Sequence, residues 1–370
     1  MLGAVQSAIL CALVCASSAR AACPAPCECS EAAQTVKCVS KDLREIPAGI
    51  PGYTRNLFIL GNQITRIGPE SFKGLENVTN LSLSNNRIAQ LESGAFGGLH
   101  SLRSLDLSGN ELRELQPGAL TVPAPLRDLN LSQALHSRSA LPALAWALRG
   151  GVFGGLAQLD LSANGLVLLP SAMFLPLGAL RRLLLANNSL VALQNGSLLG
   201  LERLAWLDLS LNGFRTFRKE ALGELDRLGG ARLLLGGNPL ACVCGAEDFA
   251  DWLNGSYARV ADGDRLVCAS PPEMHNTTLR TLGGRDLGCH GDGAGEGAEL
   301  ALQTSYAFLG VVLGLVGVVF LCVLYLNRTG IKKWVTDLRE ACRDVLEGYH
   351  YRYEIDSDPR LGPPPSSAHL

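Results

Sequence analysis

The sequence predicts a leucine-rich repeat solenoid, an α/β-type horseshoe with short parallel strands. We also expect disulfide-bonded N- and C-terminal caps and one transmembrane helix. Three observations predict this organisation: a repeated frame of leucines and one asparagine, two cysteine clusters that bracket the repeats, and one long uncharged apolar segment near the C-terminus.

The repeat frame reads L-x-x-L-x-L-x-x-N-x-L and is most regular in "LRSLDLSGNEL", from Leu102 to Leu112. Its asparagine recurs every 24 residues from Asn62 to Asn212, except for one step of 30 residues, and one degenerate copy has Ala134 in the asparagine slot. This period is typical of leucine-rich repeats. We therefore predict eight leucine-rich repeats at residues 54–240.

The asparagine of the frame has a structural role. Each coil turns away from its strand and leaves backbone groups without a sheet partner, and buried polar groups need partners. An asparagine amide both donates and accepts hydrogen bonds, so stacked asparagines satisfy neighbouring turns. The recurring Phe72, Phe96 and Phe153 are expected to form a spine on the convex side.

The N-terminal segment, residues 1–22, is apolar and ends in small residues, as expected of a cleaved signal peptide. Eight cysteines then form one cluster in the N-terminal cap at residues 23–53 and another in the C-terminal cap at residues 241–290. They are Cys23, Cys27, Cys29 and Cys38, then Cys242, Cys244, Cys268 and Cys289. In a secreted chain this pattern favours disulfides over a zinc site, and the cysteines of each cap allow three pairings.

The apolar segment at residues 306–326 carries no charge and is long enough to span a bilayer as a helix. A short stalk, residues 291–305, precedes it, and the positive charges that follow it place residues 327–370 in the cytoplasm. We expect a type I protein of the plasma membrane with an extracellular N-terminus. In the tail, Tyr349, Tyr351 and Tyr353 alternate and are candidates for phosphorylation or for pairing as a strand with a cytoplasmic adaptor.

Seven extracellular N-x-S/T sequences predict N-glycosylation. Their asparagines are Asn77, Asn80, Asn130, Asn187, Asn195, Asn254 and Asn276.

The chain lacks motifs for catalysis or for a cofactor. Its histidines are scattered without metal-ligand spacing, no nucleophile elbow or phosphate-binding loop occurs, and the net charge of −2 gives no reason to expect nucleic acid. We therefore expect no enzyme, no cofactor and no metal, but a binding module. A solenoid offers a long concave surface, and the middle position of each L-x-L lies on it because side chains alternate across a strand. Exposed apolar residues there, Phe58, Leu60 and Trp206, are candidates for partner binding, unless cap residues cover them.

Five stretches together resemble the trophoblast glycoprotein family, whose members are also called Wnt-activated inhibitory factors. They are "CPAPCECSEAAQTVKCV", "RNLF", "LQTSYAFLG", "LYLNRTGIKKW" and "EGYHYRYEI". The resemblance implies a glycosylated surface protein that inhibits Wnt/β-catenin signalling at the plasma membrane by acting on the Wnt receptor or co-receptor complex, with links to cell migration. It also implies that Lys37 and Phe58 belong to the active surface. Known repeat caps imply the disulfides Cys23–Cys29, Cys27–Cys38, Cys242–Cys268 and Cys244–Cys289.

An alternative from a different class stays open. The chain could be a cell-adhesion or matrix-binding repeat protein without Wnt activity. The signalling reading predicts dependence on the membrane anchor, Lys37 and Phe58. The adhesion reading predicts that the ectodomain binds cells or matrix and that deletion of the tail alters cell spreading.

Overall fold

The computed structural model divides the chain into two units, residues 1–288 and 289–370. It describes residues 23–137, 140–150, 153–256 and 259–284 of the first unit, and 313–318, 325–328, 330, 332, 338 and 339 of the second. The predicted signal peptide, the stalk, Cys289 and the three tail tyrosines lie outside the described residues. Most of the predicted membrane segment does too, although its residues 313–318 are helical. In the described part of the chain, no helix has the length and apolarity needed to cross a membrane.

A ten-stranded sheet forms the frame of the first unit. Its first two strands pair antiparallel, every later pair is parallel, and the strands lie side by side in the order in which their ranges now follow. The two cap strands are β1 (Glu28–Ser30) and β2 (Thr35–Val39). The eight strands that follow confirm the predicted repeats: β3 (Asn56–Leu60), β5 (Asn80–Ser82), β7 (Ser104–Asp106), β9 (Asp128–Asn130), β10 (Gln158–Asp160), β11 (Arg182–Leu184), β12 (Trp206–Asp208) and β13 (Arg232–Leu234).

The asparagines of the frame make the ladder that the sequence predicts. Asn110 is 1% exposed, and its Nδ2 donates to the carbonyl oxygens of Leu83 at 3.0 Å and Leu107 at 2.8 Å. Its Oδ1 accepts from the backbone N–H of Ile88 at 3.0 Å. Where the fourth repeat has Ala134, Asn164 of the next repeat accepts from the N–H of Ala134 at 2.9 Å. The ladder therefore links each turn to its neighbour.

Behind the sheet, the repeat leucines form one continuous buried core. Phe72, Phe96 and Phe153 are buried on the convex side, and the rings of Phe72 and Phe96 stack at 5.8 Å. A second sheet flanks the first repeats, made of β4 (Arg66–Ile67), β6 (Gln90–Leu91) and β8 (Glu114–Leu115).

The single 30-residue step contains a helix that interrupts the regular array. Helix α1 (Ala140–Gly150) packs against β8, beyond which the second sheet does not continue. The Nη2 of Arg149 near its end donates to the carbonyl oxygen of Ser171 at 3.1 Å. The extra residues therefore fill the side of the solenoid between the third and fifth repeats.

Both caps are disulfide-bonded. Cys23 pairs with Cys29, Cys27 with Cys38, and Cys242 with Cys268, which are the pairs that known repeat caps imply. Cys244 is also disulfide-bonded. The C-terminal end is closed by α2 (Lys219–Arg227), α3 (Ala246–Gly255) and short 3-10 helices at Gly263–Arg265, Pro272–Met274 and Leu279–Leu282.

Candidate partner-binding surface

The N-terminal end of the concave surface brings cap and first repeat together. Strand β2 lies parallel to β3, so that Lys37 is in register with Phe58, and Val39 with Leu60. These four side chains alternate with buried neighbours, because inward-facing Val36, Cys38, Leu57 and Ile59 anchor both strands in the core. We call Lys37, Val39, Phe58 and Leu60 the N-terminal patch.

The N-terminal patch is apolar with one cation at its edge. Lys37 is exposed, Val39 is 43% exposed, and Phe58 and Leu60 are half-buried. The cap strand therefore borders Phe58 and covers it only in part. On the other side, the next repeat places the small Ser82 in register with Phe58. Because a serine side chain is much smaller than a phenylalanine ring, that side of the ring is not covered. An aromatic ring beside aliphatic groups and a lysine can bury apolar area and pair with a carboxylate of a protein partner.

The middle of the concave surface is polar and already hydrogen-bonded to itself. Ser82 Oγ donates to Asp106 Oδ2 at 2.8 Å, and the other oxygen of Asp106 accepts from the N–H of Ser108 at 3.0 Å. Asp160 and Asp208 accept in the same way from the residues two positions later, Ser162 and Ser210. Because these carboxylates have partners, the middle offers little unsatisfied chemistry to a ligand.

At the C-terminal end, Trp206 is half-buried and lies in register between two exposed arginines. Arg182 precedes it on β11 and Arg232 follows it on β13. Leu184 and Leu234 lie two positions further along those strands, also half-buried. The repeat spacing in the sequence already gives Arg182, Trp206 and Arg232 the same position in their repeats, and the parallel pairing brings them side by side.

The structure brings Lys37, Phe58 and Leu60 together and leaves Trp206 far from them. Six strand-to-strand steps separate β3 from β12, roughly 29 Å at about 4.8 Å per step. Val39 is a residue of this surface that sequence reasoning missed. Its signal was present in "TVKCV", where Val36 and Cys38 alternate with Lys37 and Val39 like a repeat strand.

The predicted glycosylation sites lie at the surface of the solenoid and its C-terminal cap. Asn130 is half-buried, with its Oδ1 accepting from the N–H of Ser132 at 2.9 Å. The other predicted sites are exposed: Asn77, Asn80, Asn187, Asn195, Asn254 and Asn276. Among the described residues, no group of three or more His, Cys, Asp and Glu side chains is placed to hold a metal ion.

Comparison with known proteins places these features in a family. The leucine-rich repeat family model matches residues 53–112, 76–135 and 154–214. Trophoblast glycoprotein of Mus musculus is 42% identical over 363 residues, covering 92% of this chain and 84% of the relative, and that of Homo sapiens is 45% identical over 356 residues, covering 92% and 83%.

A solved structure agrees with the sequence relatives. The crystal structure of human 5T4, also named Wnt-activated inhibitory factor 1 and trophoblast glycoprotein, superimposes with a TM-score of 0.64 at 34% identity, over 73% of this chain and 99% of that one. Human trophoblast glycoprotein-like is 51% identical over a shorter stretch of 144 residues, which is 37% of this chain and 38% of the relative. With its eight repeats, paired caps and these relatives along most of its length, the chain belongs to the trophoblast glycoprotein family.

Proposed function

We propose that this protein is a single-pass type I cell-surface glycoprotein that binds a protein partner through the N-terminal patch and inhibits Wnt/β-catenin signalling at the plasma membrane. The observation that carries the proposal is the partly exposed apolar cluster of Val39, Phe58 and Leu60 beside Lys37, at the end of the concave surface where the N-terminal cap meets the first repeat. A human relative is named Wnt-activated inhibitory factor 1, which supports the signalling part.

The proposed partner is a subunit of the Wnt receptor or co-receptor complex. An interface centred on the N-terminal patch would bury Phe58 fully. Truncation of a central aromatic residue in an interface typically costs about 2 kcal/mol or more, which weakens binding by a factor of ~30. Lys37 at the edge contributes less than Phe58, because a solvent-exposed ion pair contributes about 0.2–1 kcal/mol.

The test is a β-catenin reporter in Wnt-stimulated cells that express each variant at matched surface levels. Wild type should lower the signal, Phe58→Ala should restore most of it, and Lys37→Ala should restore part of it. Lys73→Ala and Trp146→Ala are the matched controls, since both side chains are exposed and lie off the concave surface on the convex loops and on α1. They should inhibit like wild type.

A variant that lacks residues 336–370 tests whether the cytoplasmic tail is needed for inhibition. Inhibition that persists without the tail assigns the activity to the ectodomain and its anchor. If Phe58→Ala inhibits as strongly as wild type, the N-terminal patch is not the surface that inhibits signalling. A reporter left unchanged by wild type would reject the Wnt proposal, and adhesion to cells or matrix would then be the function to test.

A further inference from the structure

Arginines occupy the same position, just before the concave strand begins, in the third, fourth and sixth repeats, and Ala157 occupies it in the fifth. The carbonyl oxygen of Arg103 accepts the backbone N–H groups of Arg127 and Asp128, at 2.8 and 3.0 Å. The carbonyl oxygen of Arg181 accepts those of Ala205 and Trp206 in the same way, at 2.8 and 2.9 Å. Arg103 and Arg127 are therefore neighbours at the N-terminal ends of the strands, Arg181 lies at the same level one repeat beyond Ala157, and all three side chains are exposed.

Further arginines continue this edge toward the C-terminal end. Arg182 and Arg232 are exposed on either side of Trp206, and Arg203 is exposed in the turn that leads into β12. We call these six arginines and Trp206 the basic strip. Asp128 and Glu202 lie along it, and Asp106, Asp160 and Asp208 lie further along the same strands with hydrogen-bond partners of their own, so that six arginines face five carboxylates in a chain whose net charge is −2.

The arginine side chains of the strip are not paired with carboxylates. Within residues 23–284, as far as the structure describes them, none of the six takes part in an ion pair, and Arg182 makes one hydrogen bond, to Gln158 Oε1 at 3.3 Å. The arginines elsewhere that do form ion pairs include Arg66, Arg227 and Arg259. The unpaired cations of the strip keep their full charge for a ligand.

The strip has a defined length. Arg55 occupies the same position in the first repeat, but the predicted glycosylation sites Asn77 and Asn80 lie between it and Arg103. The strip itself runs from β7 to β13, five strand-to-strand steps, or roughly 24 Å at about 4.8 Å per step, and one predicted glycosylation site, Asn130, lies within this span on β9. A ligand that uses all of it must be linear and carry negative charges at intervals along its length.

We propose that the basic strip binds a sulfated glycosaminoglycan chain. Arginine forks bind tetrahedral oxyanions through pairs of charge-assisted hydrogen bonds, and the apolar face of Trp206 can stack on a sugar ring. An acidic peptide fits less well. The strand backbone beneath the strip is already paired on both sides, so an extended peptide would gain no main-chain hydrogen bonds from it. This inference does not rest on the proposed role in Wnt signalling.

The first experiment measures retention of the full-length, detergent-solubilised protein on immobilised heparin as a function of NaCl concentration. The test variant combines Arg127→Ala with Arg181→Ala. The matched control combines Arg87→Ala with Arg215→Ala, because these arginines are also exposed, lie off the strip and remove the same charge. The test variant should bind heparin roughly ten-fold more weakly than wild type. The slope of log affinity against log NaCl concentration should decrease in magnitude by about one for each lost contact.

A second variant and a second matrix test the sugar directly. Trp206→Ala should weaken heparin binding several-fold without changing the salt dependence, because it removes stacking and no charge. Wild type should elute from heparin at higher salt than from polyglutamate. Equal loss of affinity in the control pair would show general charge attraction and overturn the proposal. Stronger binding to polyglutamate would also overturn it, in favour of an acidic protein partner.

Discussion

Replacement of Asn110 by alanine tests whether the asparagine ladder holds the solenoid together. The substitution removes the only described partners of the Ile88 N–H and the Leu107 carbonyl, while the Leu83 carbonyl keeps its bond from Asn86 Nδ2 at 2.7 Å. Each buried group left without a partner costs about 1–3 kcal/mol. Two such groups predict a loss of about 4 kcal/mol in the free energy of unfolding, a large share of the roughly 5–15 kcal/mol typical of a folded protein.

The measurement is urea unfolding of the purified, oxidised protein, followed by far-UV circular dichroism. Gln90→Ala is the control, because its exposed amide makes one hydrogen bond, to Glu114 Oε2 at 3.0 Å, and its loss should cost below about 1 kcal/mol. If Asn110→Ala and Gln90→Ala lower the unfolding free energy equally, the ladder does not stabilise the turns, and the reasoning about buried polar groups fails.

Two further substitutions probe the convex side and the N-terminal cap. Gly200→Ala should lower the free energy of unfolding by about 2 kcal/mol or more, because φ is +93° and a Cβ there would lie 2.5 Å from the Cα of Leu175. Gly178→Ala is the control, because a Cβ there would have no atom within 4 Å, and it should change the free energy of unfolding by less than about 1 kcal/mol. Cys27→Ser, which breaks the bond to Cys38, should cost about 2–5 kcal/mol. Limited proteolysis should then cleave within residues 23–53 first, whereas a cap as resistant as wild type would contradict this.

The repeats could be predicted because their information is local and periodic. A leucine at each inward position and an asparagine at each turn specify the strand, its buried face and its hydrogen bonds to the next coil. Asn110 illustrates this, since its role followed from its spacing and the structure places its amide between the two turns as expected. The stacked Phe72 and Phe96 follow the same period.

The interruption of the period could not be predicted in detail. The sequence marked a 30-residue step, and "ALPALAWALRG" is rich in helix-forming Ala and Leu. Where helix α1 packs depends on β8 and on the bond from Arg149 to Ser171, which are contacts between residues distant in sequence. Local propensity contains no information about such contacts.

The candidate surface was predicted in part for a similar reason. Phe58, Leu60 and Trp206 follow from alternation within one strand. Their contacts with neighbours across the sheet, Val39 and Arg182, depend on which strands pair and in what register. For a solenoid that register can be obtained by aligning the repeats, and the position of the basic strip is visible once they are aligned.

The distribution of satisfied and unsatisfied groups favours the two ends of the concave surface over its centre for the burial of an apolar partner surface. A ligand at Asp106 would have to displace the hydrogen bond from Ser82, and such an exchange gains little net free energy. At the ends, burial of apolar area contributes about 25 cal/mol per Å² without breaking an existing bond. The N-terminal patch offers this area with one lysine, whereas Trp206 lies among arginines. The basic strip begins at β7, two strand-to-strand steps or roughly 10 Å from Phe58 on β3, and its Trp206 on β12 lies six steps or roughly 29 Å away, at about 4.8 Å per step. A polyanion held by the C-terminal half of the strip therefore leaves Phe58 accessible to a partner.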